Sequence, residues 1–591
     1  MKQKIKNYIT VLLLLVGLMF PSSCGKDFLN VVDPTVLDEA NYPVNTADYE
    51  RLMNDLYGRL REGFYSQYIR SILLIGKEID TGYSGADFNE FVLNNLTQSL
   101  GQISTLWNNL FLHIAKCNDF ITKIEAYKPP AAEEARVKQM VSEAKFIRAL
   151  NYFQLINMYG EEPIHSAADL NKMGVPLWID NATSIASAAK PRATQGEIYN
   201  QIIADLKAAL PPLEALGNAK IRNQRPRIDQ WTVKTLLAKT YIFTRDFSSA
   251  VPILKDIVDN SGKKLVPFSI YSNMFNGYNE FNDESIFEVN FARDLQSNSQ
   301  RDGVGSVWNR YVSLTYFDKS NANTFALKDG KLVPIINGYS NFYFHDPNVA
   351  RFGFAHESKD VQQDDFQNKT AAFTALKEYS LKVRADKSVD PRLFVNSMQP
   401  YLDSINVGDG KGWYPIAKGR CEGFDNTKIR AWNCGKYNNK DWVYVGNNAI
   451  NFYVFRLAEV YLLYAEALKA TGNDALALEY INKVHRRAYD QPVDTPSPYD
   501  YKSLTDRTVT VDPTDHLAND PLKFEKWAEL LQEGGWWFDV RRWDIGKQEV
   551  DYHKKVNPGN LVFNRAGFYS FPIPLSELDA NPQMVQTPAY K

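Results

Sequence analysis

Residues 458–484 read AEVYLLYAEALKATGNDALALEYINKV, and residues 231–257 read WTVKTLLAKTYIFTRDFSSAVPILKDI. When Ala238 is set on Ala465, the two stretches stay in phase. Ala250 then meets Ala477, Tyr241 meets Leu468, Leu254 meets Ile481 and Ile257 meets Val484. Small residues recur where two helices must approach, and large apolar ones recur where a groove must be filled. That is the pattern of a helix hairpin that stacks on its neighbours. The turn between the helices favours glycine. Gly472 meets this in one copy, and Arg245 stands at the matching position in the other.

The spacing is tetratricopeptide-like, but the copies are not tandem, so a simple solenoid is excluded. Helical patterns continue outward from them. Residues 46–62 place Tyr49, Leu52, Met53, Leu56 and Leu60 on one face, with Thr46 as the expected N-cap. Residues 103–127 repeat the pattern through Leu106, Leu110, Ile114, Cys117, Ile121 and Ile124, and Pro129-Pro130 stop it. Residues 131–159 form a long helix closed by Gly160 and Pro163. Residues 195–210 form another, expected to end at Pro211-Pro212. The expected fold class is mainly α: a scaffold of four tetratricopeptide-like hairpins with a loop-rich region containing a few short strands.

That region is residues 262–450, rich in Gly, Asn, Asp and aromatics. Ser285–Asn290 looks like a short strand and most of the rest like long loops, which in a globular chain are usually functional. Residues 80–92, DTGYSGADFNEFV, have the same character. The whole chain has 591 residues, with 11 Trp, 33 Tyr and 33 Phe. Aromatics fill cores and also stack on flat apolar ligand faces, so their number alone does not decide between the two. With 67 Lys plus Arg against 69 Asp plus Glu, the net charge of −2 argues against a broad nucleic-acid-binding face.

The chain opens MKQKIKNYITVLLLLVGLMFPSSC. Three lysines precede an apolar run from Ile9 to Phe20 that is too short to span a bilayer comfortably, so residues 1–23 read as a secretory signal. The small residues before Cys24 resemble a bacterial lipoprotein signal, although Pro21 stands where Leu is usual. Lipidation of Cys24 is the expectation, and it would anchor the protein to a membrane without spanning it. In an exported protein Cys421 and Cys434 are open to oxidation. Cys117 lies in a helical pattern and is expected to be buried. No histidine neighbours the cysteines, so no metal site or cofactor is expected.

These features together resemble the SusD/RagB family of outer-membrane nutrient-binding lipoproteins of Bacteroidetes-type bacteria. The likeness runs over nearly the whole mature sequence. It is carried by CGKDFLNVVDPTVLDEANY after the lipid cysteine, Trp107-Asn-Asn-Leu…Asn118, and EAKFIRALNYFQLINMYGEEP at 143–163. It continues through Asp390-Pro-Arg-Leu393, FRLAEVYLLYAEAL…YINKVHRRA at 455–488 and GGWWFDVRRW at 534–543. The most specific match is FYSFPIPLSELDANPQMVQTPAY at 568–590. Residues 523–537, KFEKWAELLQEGGWW, depart from the family's usual wording. The resemblance implies four segments: a signal peptide (1–23), an N-terminal helical region (24–261), a loop-rich ligand-binding region (262–450) and a C-terminal helical region (451–591). It also implies a surface-exposed, lipid-anchored outer-membrane protein. Such a protein captures an oligo- or polysaccharide and passes it to a SusC-like, TonB-dependent transporter.

Sugars offer C–H faces to aromatic rings and hydroxyls to amides and carboxylates. By analogy with the family, the ligand surface is expected on loops outside the hairpins. Tyr83, Asp87, Phe88 and Asn89 are the candidates in the first loop, and Trp308, Asn309, Arg310, Tyr311 and Tyr316 in the middle region. The alternative for each ring is packing. Trp536, Trp537, Trp543, Tyr461 and Tyr464 read as packing. Two other functions stay open: a peptide-binding member of the same family, and a glycan-active hydrolase, which needs two carboxylates across a cleft. Residues 82–86 (GYSGA) miss G-x-S-x-G by the last residue, and His356-Glu357 does not begin H-E-x-x-H. Asp403, Asn406 and Asp409 could offer oxygens to calcium but lack EF-hand spacing.

Overall fold

The computed structural model describes residues 42–62, 64–65, 69–81, 88–184, 186–217, 226–291, 325–328, 331–334, 342–357, 360–361, 363–406, 413–418, 431–438, 449–555 and 561–591. The chain separates into two units, Met1–Arg51 and Leu52–Lys591. In the first, helix α1 (Thr46–Glu62) begins. Its cap is Asn45 rather than Thr46: the Asp48 N–H donates to Asn45 Oδ1 at 3.0 Å, and Thr46 is already helical. Asn is at least as good an N-cap as Thr, and it precedes the apolar pattern by one residue more.

The second unit contains the longer helices α2 (Ile69–Ile75), α3 (Phe88–Leu93), α4 (Gly101–Ala126), α5 (Glu134–Tyr159) and α6 (Gln195–Glu214). They are followed by α7 (Gln230–Phe243), α8 (Phe247–Asn260), α9 (Ala371–Asp386), α10 (Leu457–Ala470), α11 (Asp474–Ala488), α12 (Pro521–Leu530), α13 (Trp536–Arg542) and α14 (Gly546–His553). Helices α4 to α8 each pack on the next, α8 packs on α10, and α10 pairs with α11. The two hairpins recognised in the sequence are therefore neighbours in space, although about 200 residues separate them in the chain. Ala238, Ala250, Ala465 and Ala477 are fully buried at the close approaches, and Leu254, Ile257, Ile481 and Val484 are fully buried between them. Each large apolar side chain buried this way contributes roughly 1.5–3 kcal/mol.

The two turns match atom for atom. Arg245 and Gly472 both take left-handed backbone, with φ of 64° and 83°. In each case the next N–H closes the helix: Asp246 donates to the Tyr241 carbonyl and Asn473 to that of Leu468, both at 2.8 Å. This is the Schellman arrangement, and glycine suits its left-handed residue. Tyr461 and Tyr464 pack edge-on or tilted against Tyr480, as expected for hairpin residues.

Two further expectations are corrected. Helix α6 runs through Pro211 and Pro212 to Glu214. The prolines forfeit hydrogen bonds, but the extra turn buries Leu213, which offsets part of that loss. Within 262–450, α9 is a 16-residue helix where loops were expected. Its buried residues Phe373, Leu376, Ser380 and Val383 fall at helical spacing, and Thr370 caps it by accepting from the Phe373 N–H at 3.3 Å. Ser380 breaks the apolar run, which hides the period.

The short strands are β1 (Asp80–Thr81), β2 (Ser285–Val289), β3 (Phe325–Lys328), β4 (Lys331–Pro334), β5 (Phe342–His345), β6 (Ser397–Met398), β7 (Ser404–Asn406), β8 (Trp413–Lys418), β9 (Ala431–Cys434) and β10 (Phe452–Arg456). They form an antiparallel sheet β1-β5-β9-β6, a second sheet β4-β3-β8-β7, and the pair β10-β2. The β2 strand is the one anticipated at 285–290.

A buried ion network ties these strands to the C-terminal helices. Arg456, at the end of β10, reaches Glu284 at 2.7 Å, Glu529 at 2.5 Å and Glu533 at 2.8 Å. Arg487 on α11 reaches Glu284 at 2.8 Å and also pairs with Glu529. Lys436, just after β9, meets Glu533 at 2.7 Å. Arg392 reaches Asp390 at 2.6 Å, Glu525 at 2.7 Å and Glu529 at 3.3 Å. The C-terminal tail docks by similar means. Phe571 N–H donates to the Met158 carbonyl at 2.7 Å, and Arg541 bonds the carbonyls of Asn157 and Tyr569. Trp536 and Trp537 are buried, as expected, and Trp543 packs on Trp536 at 6.0 Å.

Candidate ligand-binding site

The first loop and the middle region meet at β1 and β5. Asp80 pairs with Tyr343 and Thr81 with Phe342. Residues 82–87 follow Thr81 in the chain and 335–341 precede Phe342. Those two segments therefore join the sheet at register partners, and the candidates at 308–316 lie earlier in the chain, before β3 and β4. On the other side of β5, Tyr343 faces Asn433 of β9, and Cys434 then faces Ser397 of β6. The chain after Cys434 departs from that same end of the sheet.

Side chains lock this base. His345 Nε2 and Asp80 Oδ2 are 2.5 Å apart, which joins β5 to β1. Asn348 donates to the carbonyls of Lys77 and Glu78 at 3.0 and 3.2 Å. The Lys77 ammonium is buried and donates to the Val92 carbonyl and to Asn94 Oδ1, so it closes the loop from its far side. Burial pulls Lys77 down to about 7 against the opposing pull of Asp80 and Glu549. Glu78 is pushed up by burial; the Gln532 N–H donates to it at 2.6 Å. The result is a buried, hydrogen-bonded base at the end of the sheet to which residues 82–87 and 335–341 connect in the chain. Loops on a fixed scaffold are where binding residues concentrate.

Phe88 is corrected from ligand platform to packing. It is 1% exposed, lies 5.4 Å from the Phe342 ring, and has the Arg70 guanidinium 4.4 Å from its centroid. Phe88, Phe91 and Val92 are the inward face of α3, at spacings of three and four, and Asn89 is exposed on the other side. That period was present in FNEFV and assigns Phe88 to the core. Tyr83, Asp87, Trp308, Asn309, Arg310, Tyr311 and Tyr316 lie outside the described residues, as do Cys24, Cys421 and Asp409. Among the other middle-region aromatics, Tyr343 and Trp432 are buried, whereas Trp413 at the start of β8 is 52% exposed. Nothing in its flanking sequence separates Trp413 from the buried rings; burial alone does so.

The other candidates are already engaged. Cys117 and Cys434 are buried free thiols, both pushed up by burial. Asp403 pairs with Arg384 at 2.9 Å and accepts from the Gln399 N–H. Asp390, His485 and Glu525 bring oxygens and a nitrogen within ligating distance of one another. The Arg392 guanidinium bonds Asp390 and Glu525 there, and His485 Nδ1 bonds Glu525 at 2.7 Å. A cation is thus built into the cluster by the chain itself. Burial raises the Glu525 carboxyl, and the charges of Arg392 and His485 outweigh this and hold it at about 2.

Comparison with known proteins agrees with this architecture. A family model described as "SusD family" matches residues 283–590, and one described as "Starch-binding associating with outer membrane" matches residues 27–242. SusD-like protein P25 of Formosa agariphila is 24% identical over 507 residues, covering 85% of this chain and 81% of its own. Starch-binding protein SusD of Bacteroides thetaiotaomicron is 23% identical over 471 residues, covering 78% and 74%. Among solved structures, a laminarin binding SusD-like protein superposes with a TM-score of 0.63 at 21% identity, covering 93% of this chain and 100% of that one. A SusD-like protein of Bacteroides fragilis superposes with a TM-score of 0.66 at 18% identity, covering 93% and 98%. These structural likenesses establish the shared fold, and the family models span both the hairpin scaffold and the strand-bearing region, so the chain belongs to the SusD/RagB family.

Proposed function

We propose that this protein binds a neutral oligo- or polysaccharide at the outer membrane and hands it to a SusC-like, TonB-dependent transporter without altering it. The observation that carries this reading is the β1–β5 pairing, which joins the first loop to the middle region of the chain in one sheet. The family description as starch-binding and the laminarin-binding relative supply the ligand class. Tyr83, Asp87 and Asn89 would supply the near side of the platform, and Trp308, Asn309, Arg310, Tyr311 and Tyr316 the far side.

Isothermal titration against neutral glucans, acidic glycans and oligopeptides tests the ligand. Binding to at least one glycan is expected, and binding to peptides alone would overturn the reading. Incubation with a bound glycan should release no new reducing ends; steady release would make the protein a hydrolase. Anchoring rests on Cys24. Cys24→Ala should move the protein from the membrane to the soluble fraction, and retention on the membrane would contradict lipidation there.

A further inference from the structure

An aromatic cleft lies on elements that take no part in the β1-β5-β9-β6 sheet. It has a volume of about 310 Å³, at the small end of ligand pockets. One wall is α4, where Trp107 and Phe111 pack with centroids 4.7 Å apart. The facing wall is Trp178, with Asp180 and Asn181 beside it, and Glu577 of the C-terminal tail closes the end. Trp107 is buried and donates to Glu577 at 3.3 Å, whereas Phe111 and Trp178 are half-buried and Asn108, Asp180 and Asn181 are exposed.

The Trp178 wall is held in place from behind. Tyr152 Oη accepts from the Trp178 N–H at 2.6 Å and donates to its carbonyl at 2.9 Å. Asn118 donates to the carbonyls of Trp178 and Asp180, at 3.2 and 3.3 Å. Arg148 donates to Asn118 and to the Ile179 carbonyl while it is itself clamped on Asp205 at 2.7 and 2.8 Å. Lys190 sets its ammonium 4.3 Å from the Trp178 ring centroid. Four polar residues thus fix one irregular loop with its indole lining a cavity. Such preorganisation lowers the cost of binding a ring.

From this we infer that the cleft is a second saccharide subsite, which takes one or two neutral sugar rings. The rings of Phe111 and Trp178 match the C–H faces of a pyranose. Asn108 and Asn181 match hydroxyls as donors and acceptors, and Asp180 and Glu577 match them as acceptors. Among the described residues the lining carries two carboxylates, and the Lys190 ammonium beside Trp178 is already engaged by that ring, by the Leu177 carbonyl at 3.3 Å and by Asp180 at 3.8 Å, which disfavours an anionic ligand. The inference rests on the proposed function only for the ligand class. It adds a site on the hairpin side of the fold, so that one chain grips a long glycan at two points and gains from the effective concentration that linkage brings.

The test titrates laminarihexaose and maltohexaose into the mature protein and into Trp178→Ala, Trp178→Phe and Asn181→Ala. The wild type should bind two equivalents of at least one probe. Trp178→Ala should lose the weaker equivalent by about tenfold or more, the scale of one aromatic contact. Trp178→Phe should restore part of it, and Asn181→Ala should weaken it several-fold. Unchanged stoichiometry and affinity in Trp178→Ala, at a wild-type melting temperature, would overturn this subsite and leave the loop face standing. If Trp178→Ala does not fold, unchanged binding by Asn181→Ala overturns it equally. Binding lost entirely in Trp178→Ala would keep the subsite and remove the loop face. Binding of neither probe by the wild type would remove this subsite.

Discussion

Arg392 is fully buried and balances Asp390, Glu525 and Glu529. Removing its charge strands carboxylates away from water, which costs about 3–5 kcal/mol when one partner of a buried pair is lost. Arg392→Ala should therefore lower urea-unfolding stability by roughly that amount; a loss below ~1 kcal/mol would show that the network contributes little. The same cluster sets a pH dependence. Glu525 is held at about 2 in the folded protein against an ordinary value of 4.5. Its contribution is thus complete above about pH 4.5 and is lost as pH falls towards 2. Wild type should lose stability more steeply than Glu525→Gln across that window, and parallel curves would contradict the assignment. At this scale the sequence was only half legible. Asp390-Pro-Arg-Leu393 stood out as a motif, but its partners lie more than a hundred residues away, at Glu525 and Glu529, and no local pattern points to them. The departing stretch 523–537 contains Glu525, Glu529 and Glu533, which are the groups the network uses.

At the scale of elements, the hairpins were legible because their signal is local. Alanines at close approaches and large residues in grooves repeat within 27 residues, and the structure buries every aligned pair. The left-handed turn gives this a direct test. Arg245 adopts φ of 64° where its counterpart is Gly472, a conformation costing a residue with a side chain about 1 kcal/mol. Arg245→Gly should be more stable than Arg245→Ala by about 1 kcal/mol in thermal melts. Equal stability would mean that the turn is not strained. Elements whose pattern is broken were missed or misplaced: α9 by its buried Ser380, the end of α6 by prolines that the helix absorbs, and Phe88 by its position beside loop residues. In each case burial of a few apolar side chains outweighed the local signal on which the sequence reading relied.

For the whole molecule, the residues that carry the family resemblance and the residues proposed to choose the ligand are different sets. Arg456, Arg487, Trp537 and Arg541 sit in the recognisable blocks, and all are buried in contacts that join helices, strands and tail. They fix a scaffold shared by proteins at about one-fifth identity. The candidate ligand residues, Tyr83 and Trp308 among them, lie outside these blocks, which is why the resemblance points to a class of ligand and to no particular glycan. The central claim is that the first loop and the middle region together form one glycan site. Its most direct measurement is calorimetric titration of a glucan panel into the mature protein and into a Tyr83→Ala, Trp308→Ala double variant with a wild-type melting temperature. The account predicts that the wild type binds at least one glucan and that the double variant loses about tenfold or more of that affinity. Undiminished affinity in the variant, or no glucan bound by the wild type, would contradict it.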